Sequence, residues 1–277
     1  MPRADQRTTT RLPKIKALVP WYGSNRILAK NVGDLLGRRS WVGVPFAGGM
    51  CEITYINART VVVNDLHGHV MNLAVCVADP VIGPKMWRML RRLPFHPTTL
   101  VESQSWCRNN RPDCPDVVSA MKYFTSAWMS RNGKAGTKDE FDAGLSVRWE
   151  AGGGDSAVRF HNAVMSLREW RRILSRCTFV CLDAFEFLSR CQDKKEHGIY
   201  CDPPWPGDGD SYLHTLSFTD HERLARCLSE FEHAQIVVRL GDCELARSLY
   251  RHGWNWHKQT SRTAANKDKH EALITRN

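Results

Sequence analysis

Residues 198–205 read GIYCDPPW, a short apolar run that stops at an acidic residue and two prolines. The apolar half predicts a strand that is covered on both faces, as in parallel sheets. Because proline has no backbone N–H, the chain must leave the sheet after Asp202 in a stiff, extended turn. The sequence therefore predicts a carboxylate and an aromatic ring, that of Trp205, at the carboxyl edge of a parallel sheet, where ligands bind.

Further apolar runs of this kind predict the other strands, at residues 41–44, 60–63, 178–182, 236–240 and 272–275. Segments with helical spacing lie between them, at residues 27–36, 70–77 and 220–231, and Thr219 is a candidate cap for the last. Strands that alternate with helices indicate the α/β class. We expect a mostly parallel, doubly wound sheet with helices on both faces.

Residues 79–171 break this alternation. Six prolines fall between residues 80 and 115, three glycines stand together at 152–154, and five of the ten tryptophans lie in the segment. We therefore predict one domain made of residues 1–78 and 172–277, and a subdomain inserted into it at residues 79–171.

Positive charge is concentrated in the same region. The chain has a net charge of +10, and residues 85–176 contain 16 Lys and Arg against 9 Asp and Glu. Such clusters are typical of phosphate binding, although a solvated basic surface is the alternative. The candidate nucleic-acid contacts are Arg131, Asn132 and Lys134, next to an aromatic run, and Arg171 and Arg172, which have helical spacing.

Several classes of protein do not fit the sequence. It has no apolar run of about 18 residues, so no transmembrane helix is predicted, and residues 1–11 lack the apolar segment of a secretory signal. The ten cysteines include no CxxC pair, which favours reduced thiols over a metal site. We expect a cytoplasmic protein with no bound metal and no membrane partner.

A second motif follows the first predicted strand, where residues 44–49 read VPFAGG. Paired glycines at a strand-to-helix turn allow a ligand to approach the backbone closely, although a plain tight turn has the same pattern. Asp65 ends the second predicted strand and Asp183 the third. Carboxylates at strand ends hold ribose hydroxyls in α/β cofactor folds.

The Asp-Pro-Pro-Trp turn suggests chemistry on an aryl amine. Asp202 can accept one amine hydrogen, the Pro203 carbonyl can accept the other, and the Trp205 ring can stack on a planar base. Two acceptors localise the nitrogen lone pair, which can then attack a methyl sulfonium in line, without a covalent enzyme intermediate. A purely structural turn with a packed tryptophan is the alternative.

Taken together, these motifs resemble those of the Dam-type DNA adenine methyltransferases, in the alpha arrangement that places target recognition between the cofactor and catalytic motifs. The resemblance covers most of the sequence outside residues 79–171, and the motifs that carry it are residues 20–25, 44–49, 64–65, 182–185 and 200–205. It implies that the catalytic residues are Asp202, Pro203, Pro204 and Trp205. It implies cofactor contacts from Trp21, Tyr22, Gly23, Asn25, Pro45, Phe46, Ala47, Gly48, Gly49, Asp65, Asp183, Ala184, Phe185 and Asp202.

Two positions depart from the family pattern. The family lysine of the first motif falls on Asn25, so that Arg26 is a candidate for holding the cofactor carboxylate, and Trp205 stands where tyrosine is more usual. A tryptophan still offers a ring for stacking.

The resemblance implies S-adenosyl-L-methionine as cofactor and transfer of its methyl group to adenine N6 in double-stranded DNA, with the target base flipped out. Methylation of cytosine N4, methylation of RNA adenine, and a nucleic-acid-binding relative without activity stay open. The implied setting is a bacterial or phage-infected cell, with the chain as a monomer or weak dimer. Whether a separately acting restriction endonuclease accompanies the chain stays open.

Overall fold

The computed structural model describes residues 12–24, 26–131, 133–150, 154–206, 211–262 and 268–276. Within them the strands form one seven-stranded sheet in the order β3-β2-β1-β4-β5-β7-β6. The strands are β1 (Arg39–Val44), β2 (Ala58–Asn64), β3 (Cys177–Val180), β4 (His197–Cys201), β5 (Gln235–Gly241), β6 (Asn255–Arg262) and β7 (Asp268–Arg276). Strands β1 to β5 pair in parallel, and β7 pairs antiparallel with both β5 and β6.

Helices flank this sheet on both sides, and each side of the sheet has its own hydrophobic cluster. They are α1 (Ala29–Leu36), α2 (Gly68–Ala78), α3 (Ile82–Leu90), α4 (Pro97–Asn109), α5 (Val117–Met129), α6 (Ser156–Leu174), α7 (Ala184–Ser189), α8 (Phe218–Ser229) and α9 (Glu244–Leu249). A short 3-10 helix, η1 (Glu52–Thr54), follows the glycine motif. The predicted α/β class and mostly parallel sheet are confirmed.

The order of the strands fixes where a ligand can bind. Strand β1 pairs with β2 on one side and with β4 on the other, so the direction of winding reverses between β1 and β4. Open α/β sheets bind ligands in the crevice at such a switch point, outside the carboxyl ends of the strands. Both main motifs lie there, since residues 45–49 follow β1 and Asp202 follows β4.

Two local predictions need correction, and one strand was not predicted. Strand β3 ends at Val180 instead of residue 182, because the Leu182 N–H donates to the Asn64 side chain at 2.8 Å and so leaves the ladder. Strand β6 was missed because its sequence, NWHKQTSR, is polar, as suits an edge strand. Ser217 caps α8 in place of Thr219, in a capping box with Asp220.

The segment between β2 and β3 packs closely on the rest of the chain. Its helices α3, α5 and α6 contribute Leu90, Phe124 and Trp170 to a hydrophobic cluster that includes Val42 of β1. The Trp170 and Trp128 indole N–H groups donate to the carbonyls of Ile15 and Leu18, at 3.0 Å each. These two rings therefore serve the core, and the division at residues 79–171 stays a prediction.

None of the helices in the described ranges is both long enough and apolar enough to cross a membrane.

Candidate active site

A cavity that is partly open to solvent lies at the carboxyl ends of β1, β2, β3 and β4, and its empty space, with the open solvent at its mouth included, is about 950 Å³. Its walls include most of the residues that the sequence motifs single out. These are Trp21, Tyr22, Gly23, Pro45, Phe46, Ala47, Gly48, Gly49, Asp65, Asp183, Ala184, Asp202 and Pro204. Motifs that are far apart in sequence therefore share one wall.

Other predicted site residues lie away from this wall. Phe185, Pro203 and Trp205 are buried, and the Trp205 ring belongs to the second hydrophobic cluster, with 8% of its surface exposed. The ring packs against Gly241, and the Arg239 guanidinium carbon lies 5.1 Å from its centroid. The expectation that Trp205 presents an open face is thus not met in this structure. Asn25 and Asn132 lie outside the described residues.

The paired glycines are required by a neighbouring tryptophan. Gly48 has a φ of 45°, in the left-handed region, and a Cβ there would lie 2.9 Å from the Trp21 indole nitrogen. A Cβ at Gly49 would lie 2.9 Å from the Trp21 Cβ. Only glycine leaves room for the Trp21 side chain to pack on this turn.

Asp65 links the glycine turn at Gly48 and Gly49 to the end of β2 by hydrogen bonds. Its Oδ2 accepts a hydrogen bond from the Gly48 N–H at 2.8 Å, and its Oδ1 accepts one from the His67 N–H at 2.9 Å. A carboxylate has about four lone-pair sites, so both oxygens can still accept from a ligand hydroxyl. Asp183 caps α7 by accepting from the Phe185 and Glu186 N–H groups.

A buried arginine holds the Asp202 carboxylate. Asp202 Oδ2 accepts hydrogen bonds from Arg239 Nη1 at 2.8 Å and from the Tyr200 hydroxyl at 3.3 Å. Arg239, only 2% exposed, also donates through Nε to Glu271 Oε2 at 2.8 Å and through both Nη atoms to the Gly23 carbonyl at 3.1 Å. With Oδ2 held by the protein, Oδ1 is the oxygen left to accept from a ligand in the cavity.

A second carboxyl group, Glu52, belongs to the same network. It is 8% exposed and lines the cavity from η1. Burial and the negative charge of Asp202 raise the pKa of Glu52 to about 7, while Arg239 and a hydrogen bond from Tyr200 act in the opposite direction. Sequence analysis missed both Glu52 and Arg239. The available signal for Glu52 was an acid just after the glycine turn, and the signal for Arg239 was a charged residue in an apolar strand.

A buried His–Glu pair connects the cavity to the segment between β2 and β3. His67 caps α2 because its Nδ1 accepts a hydrogen bond from the Val70 N–H. The ring proton is therefore on Nε2, which donates to Glu140 Oε1 at 2.8 Å. Burial opposes protonation of His67, but the hydrogen bond and charge of Glu140 outweigh it and raise the pKa of the imidazole. Glu140 also accepts from the Gly136 N–H at 2.9 Å, and Gly136 itself lines the cavity.

The predicted nucleic-acid contacts fall in two different places. Arg131 and Lys134 lie in the segment that leads to Gly136 of the cavity wall, and Lys134 forms an ion pair with Asp139 at 3.7 Å. Arg171 and Arg172 lie in the last turn of α6, which leads into the amino end of β3 and therefore to the sheet edge opposite the cavity. The charge pattern alone could not separate these positions.

Another basic cluster is made of Arg26, Arg148 and Arg159, and Arg26 lies two positions along the chain from Ser24 of the cavity wall. Arg159 is on the first half of α6, about 18 Å along the helix from Arg171, and its guanidinium carbon lies 5.3 Å from the centroid of the Trp128 ring. Burial lowers the pKa of Arg159, and the positive charges of Arg26 and Arg148 add to this effect. Arg26 and Arg148 therefore each lie close enough to Arg159 to repel it.

Comparison with known proteins gives a partial likeness. No protein-family model matches the chain. Over 89 residues the chain is 35% identical to "Retron Ec67 DNA adenine methylase" from Escherichia coli, a stretch that covers 31% of this chain and only 30% of that protein. The match supports a relationship to the DNA adenine methyltransferases, which the order of the motifs also indicates.

Proposed function

We propose that the chain is a DNA methyltransferase that moves a methyl group from S-adenosyl-L-methionine to the N6 amine of adenine in duplex DNA. The observation that carries the proposal is Asp202 at the switch point of the sheet, with Oδ2 held by Arg239 and its side chain on the cavity wall. Cytosine N4, an alternative within the same chemistry, is an outcome of the test below.

The cavity fits the cofactor by the chemistry of its walls. Phe46 and Leu182 offer apolar surface for an adenine ring, and Asp65 offers carboxylate oxygens for ribose hydroxyls. Gly48 and Gly49 allow close approach to the backbone. When bound, S-adenosyl-L-methionine supplies an electrophilic methyl group on a positively charged sulfur.

The residues around Asp202 position the amine. Asp202 Oδ1 and the Pro203 carbonyl accept its two hydrogens, which localises the nitrogen lone pair and directs it toward the methyl group. The fixed contact of Arg239 with Oδ2 prevents the carboxylate from rotating away, so little reorganisation is needed during the reaction. Stacking of Trp205 on the flipped base would require its ring to leave Gly241, and it stays a proposal.

The test is to express the chain in a host that lacks adenine methylation and to map modified bases by single-molecule sequencing. Methylated adenine at a defined sequence would support the proposal. Detection of N4-methylated cytosine would mean that cytosine is the target instead of adenine. Purified protein that neither binds S-adenosyl-L-methionine nor modifies any base would overturn it. A chain that binds DNA without modifying it would be a binding module.

We predict that Asp65→Asn raises the KM for S-adenosyl-L-methionine by at least about tenfold and leaves kcat nearly unchanged. A hydrogen bond to a charged group is worth about 1.5–3 kcal/mol, and a ribose contact holds ground state and transition state equally. The matched control is Asp193→Asn, because Asp193 also accepts backbone N–H bonds but lies outside the cavity wall. A lower kcat with an unchanged KM would contradict the ribose role.

We predict that Arg159→Ala weakens binding to a fluorescent random-sequence duplex. The logarithm of the association constant should also fall less steeply with the logarithm of the salt concentration, with a slope smaller in magnitude by about 1. Arg172→Ala, on the far end of the same helix, serves as control and should leave both quantities near those of the unaltered protein. The Arg131 and Lys134 side chains stay candidates for base contacts. Equal effects of the two α6 substitutions would rule out a DNA face at the cavity end.

A further inference from the structure

The Trp205 ring packs inside the protein instead of on the cavity wall. It is 8% exposed and contacts Gly241, and the Arg239 guanidinium carbon lies 5.1 Å from its centroid. A base that leaves the DNA stack loses its stacking neighbours, and an aromatic side chain in the enzyme pocket replaces them. The proposed methyl transfer therefore calls for another aromatic ring at the cavity.

Among the described residues, the cavity wall carries six aromatic ones, which are Trp21, Tyr22, Phe46, His67, Tyr212 and His214. The Trp21 ring already lies against Gly48 and Gly136, and His67 is 2% exposed. Tyr22 and Phe46 belong to the predicted cofactor motifs. Tyr212 and His214 remain, and a phenol ring offers more area for stacking than an imidazole.

Tyr212 is held at the cavity by its hydroxyl, its ring and its neighbour in the chain. The hydroxyl donates to the Tyr22 carbonyl at 3.3 Å, and the two tyrosine rings meet edge to face with centroids 5.2 Å apart. The N–H of the next residue, Leu213, donates to the Gly136 carbonyl at 2.9 Å. The ring is therefore preorganised, and little side-chain freedom is lost when a base stacks on it.

Gly23 connects Tyr212 to the residues that hold Asp202. It has a φ of 72°, and a Cβ there would overlap the Tyr212 hydroxyl oxygen, so this oxygen lies directly against the glycine backbone. The Gly23 carbonyl accepts hydrogen bonds from Arg239 at 3.1 Å, and Arg239 Nη1 donates to Asp202 Oδ2 at 2.8 Å. The phenol and the amine acceptor are thus fixed relative to each other on one wall.

We infer that the Tyr212 ring stacks on the flipped base while Asp202 Oδ1 and the Pro203 carbonyl hold its amine. The inference rests on the proposed methyl transfer and adds the residue that positions its substrate. Because every base has a planar face, stacking holds the base without identifying it. Loss of the ring should therefore reduce the fraction of bound DNA that has its base in the cavity.

The test is a photochemical cross-link at the target position. A duplex of the sequence defined by the methylation map carries 5-iodouracil in place of the target adenine, and its mismatch with thymine makes flipping easier. S-adenosyl-L-homocysteine fills the cofactor site. Long-wavelength ultraviolet light removes the iodine and joins the base to an aromatic ring stacked on it. Mass spectrometry of the linked peptide should identify Tyr212, and a cross-link at Trp205 or elsewhere, or none, would overturn the inference.

Two substitutions separate the ring of Tyr212 from its hydroxyl. Tyr212→Leu keeps a large apolar side chain without a ring, and its single-turnover rate on the unmodified duplex should fall roughly 10- to 100-fold because stacking is lost. Tyr212→Phe loses the hydrogen bond to Tyr22 and keeps the ring, so its rate should stay near that of the unaltered protein. If Tyr212→Phe were as slow as Tyr212→Leu, the hydroxyl contact and not stacking would be the role of this residue.

Leu213→Ala is the matched control. Leu213 lies next to Tyr212, is 44% exposed and is not part of the cavity wall, and the substitution keeps the N–H that donates to Gly136. Its rate and its cross-link at Tyr212 should both match those of the unaltered protein. Failure of both in Leu213→Ala would mean that the position of the segment, and not the Tyr212 ring, controls the reaction.

Cofactor binding gives a readout without methyl transfer. Tyr212→Leu should bind S-adenosyl-L-methionine in the absence of DNA with a Kd near that of the unaltered protein, because the ring contacts the base. A weaker Kd would place the ring at the cofactor instead. Methylation at a mapped site without a cross-link at Tyr212 overturns the stacking role alone, whereas absence of any methylated base overturns the proposed function and the stacking role with it.

Discussion

Replacing Asp202 with asparagine should lower the single-turnover rate of methyl transfer by roughly 100- to 1000-fold. Asparagine has nearly the same size, but one of its two side-chain acceptors becomes an NH₂ donor. If its oxygen stays on Arg239, the NH₂ group faces the target amine and repels it; if it flips, two donors meet at Arg239. The first orientation removes the side-chain acceptor for the amine, and the second loses the Arg239 contact that holds this acceptor in place.

Loss of rate must be separated from loss of fold. Asp202→Asn should bind S-adenosyl-L-methionine with about the same Kd, because binding depends mainly on other parts of the cavity wall. Its urea midpoint should also stay near that of the unaltered protein, since Arg239 keeps Glu271 and the Gly23 carbonyl as partners. A rate within tenfold of the unaltered protein would show that Asp202 is not the amine acceptor.

Replacing Arg239 with methionine should destabilise the protein by about 3–5 kcal/mol at pH 7. The substitution leaves Glu271, which is fully buried, without its ion-pair partner from β5 and removes the donor to the Gly23 carbonyl. Equilibrium unfolding in urea measures the change. Since Asp202 loses the same partner, methyl transfer by the folded fraction should fall as well.

Two further variants give this measurement a reference. Arg247→Met breaks a two-bonded ion pair with Asp242 at the surface, at 2.7 and 2.9 Å, and should change stability far less, because exposed ion pairs contribute little. Adding Glu271→Leu to Arg239→Met removes the buried carboxylate that has lost Arg239, and it should recover part of the lost stability. If Arg239→Met and Arg247→Met lowered the free energy of unfolding equally, burial of the Arg239 network would be energetically unimportant.

Local rules were enough to locate one part of the site. Asp202, Asp65 and the Gly48–Gly49 pair are fixed by where strands end, and strand ends are marked in the sequence by apolar runs followed by proline, glycine or a carboxylate. Parallel pairing then brings these ends to the same edge, so the fold class and the cavity wall follow together.

The missed parts depend on contacts between distant segments. Arg239 sits in an apolar run that correctly predicts a buried strand, but its partner Glu271 is 32 residues away and its other partner, Asp202, is 37 residues away. Trp205 looked free to stack because its packing against Gly241 has no trace in the local sequence. Likewise, helical spacing marks Arg171 and Arg172, and only the path of α6 shows that they lie at the end away from the cavity.

Trp21 has a consequence for how specificity can be altered. Its ring lies against Gly48 of the cofactor turn and against Gly136, and the Tyr22 N–H donates to the Ala135 carbonyl at 3.0 Å. A segment grafted from a relative in place of residues 79–171 would therefore have to bring its own small residue for Trp21 and its own acid for His67. Grafts that keep residues 133–140 of the host chain avoid this mismatch, so the practical boundaries for exchange lie within residues 79–171.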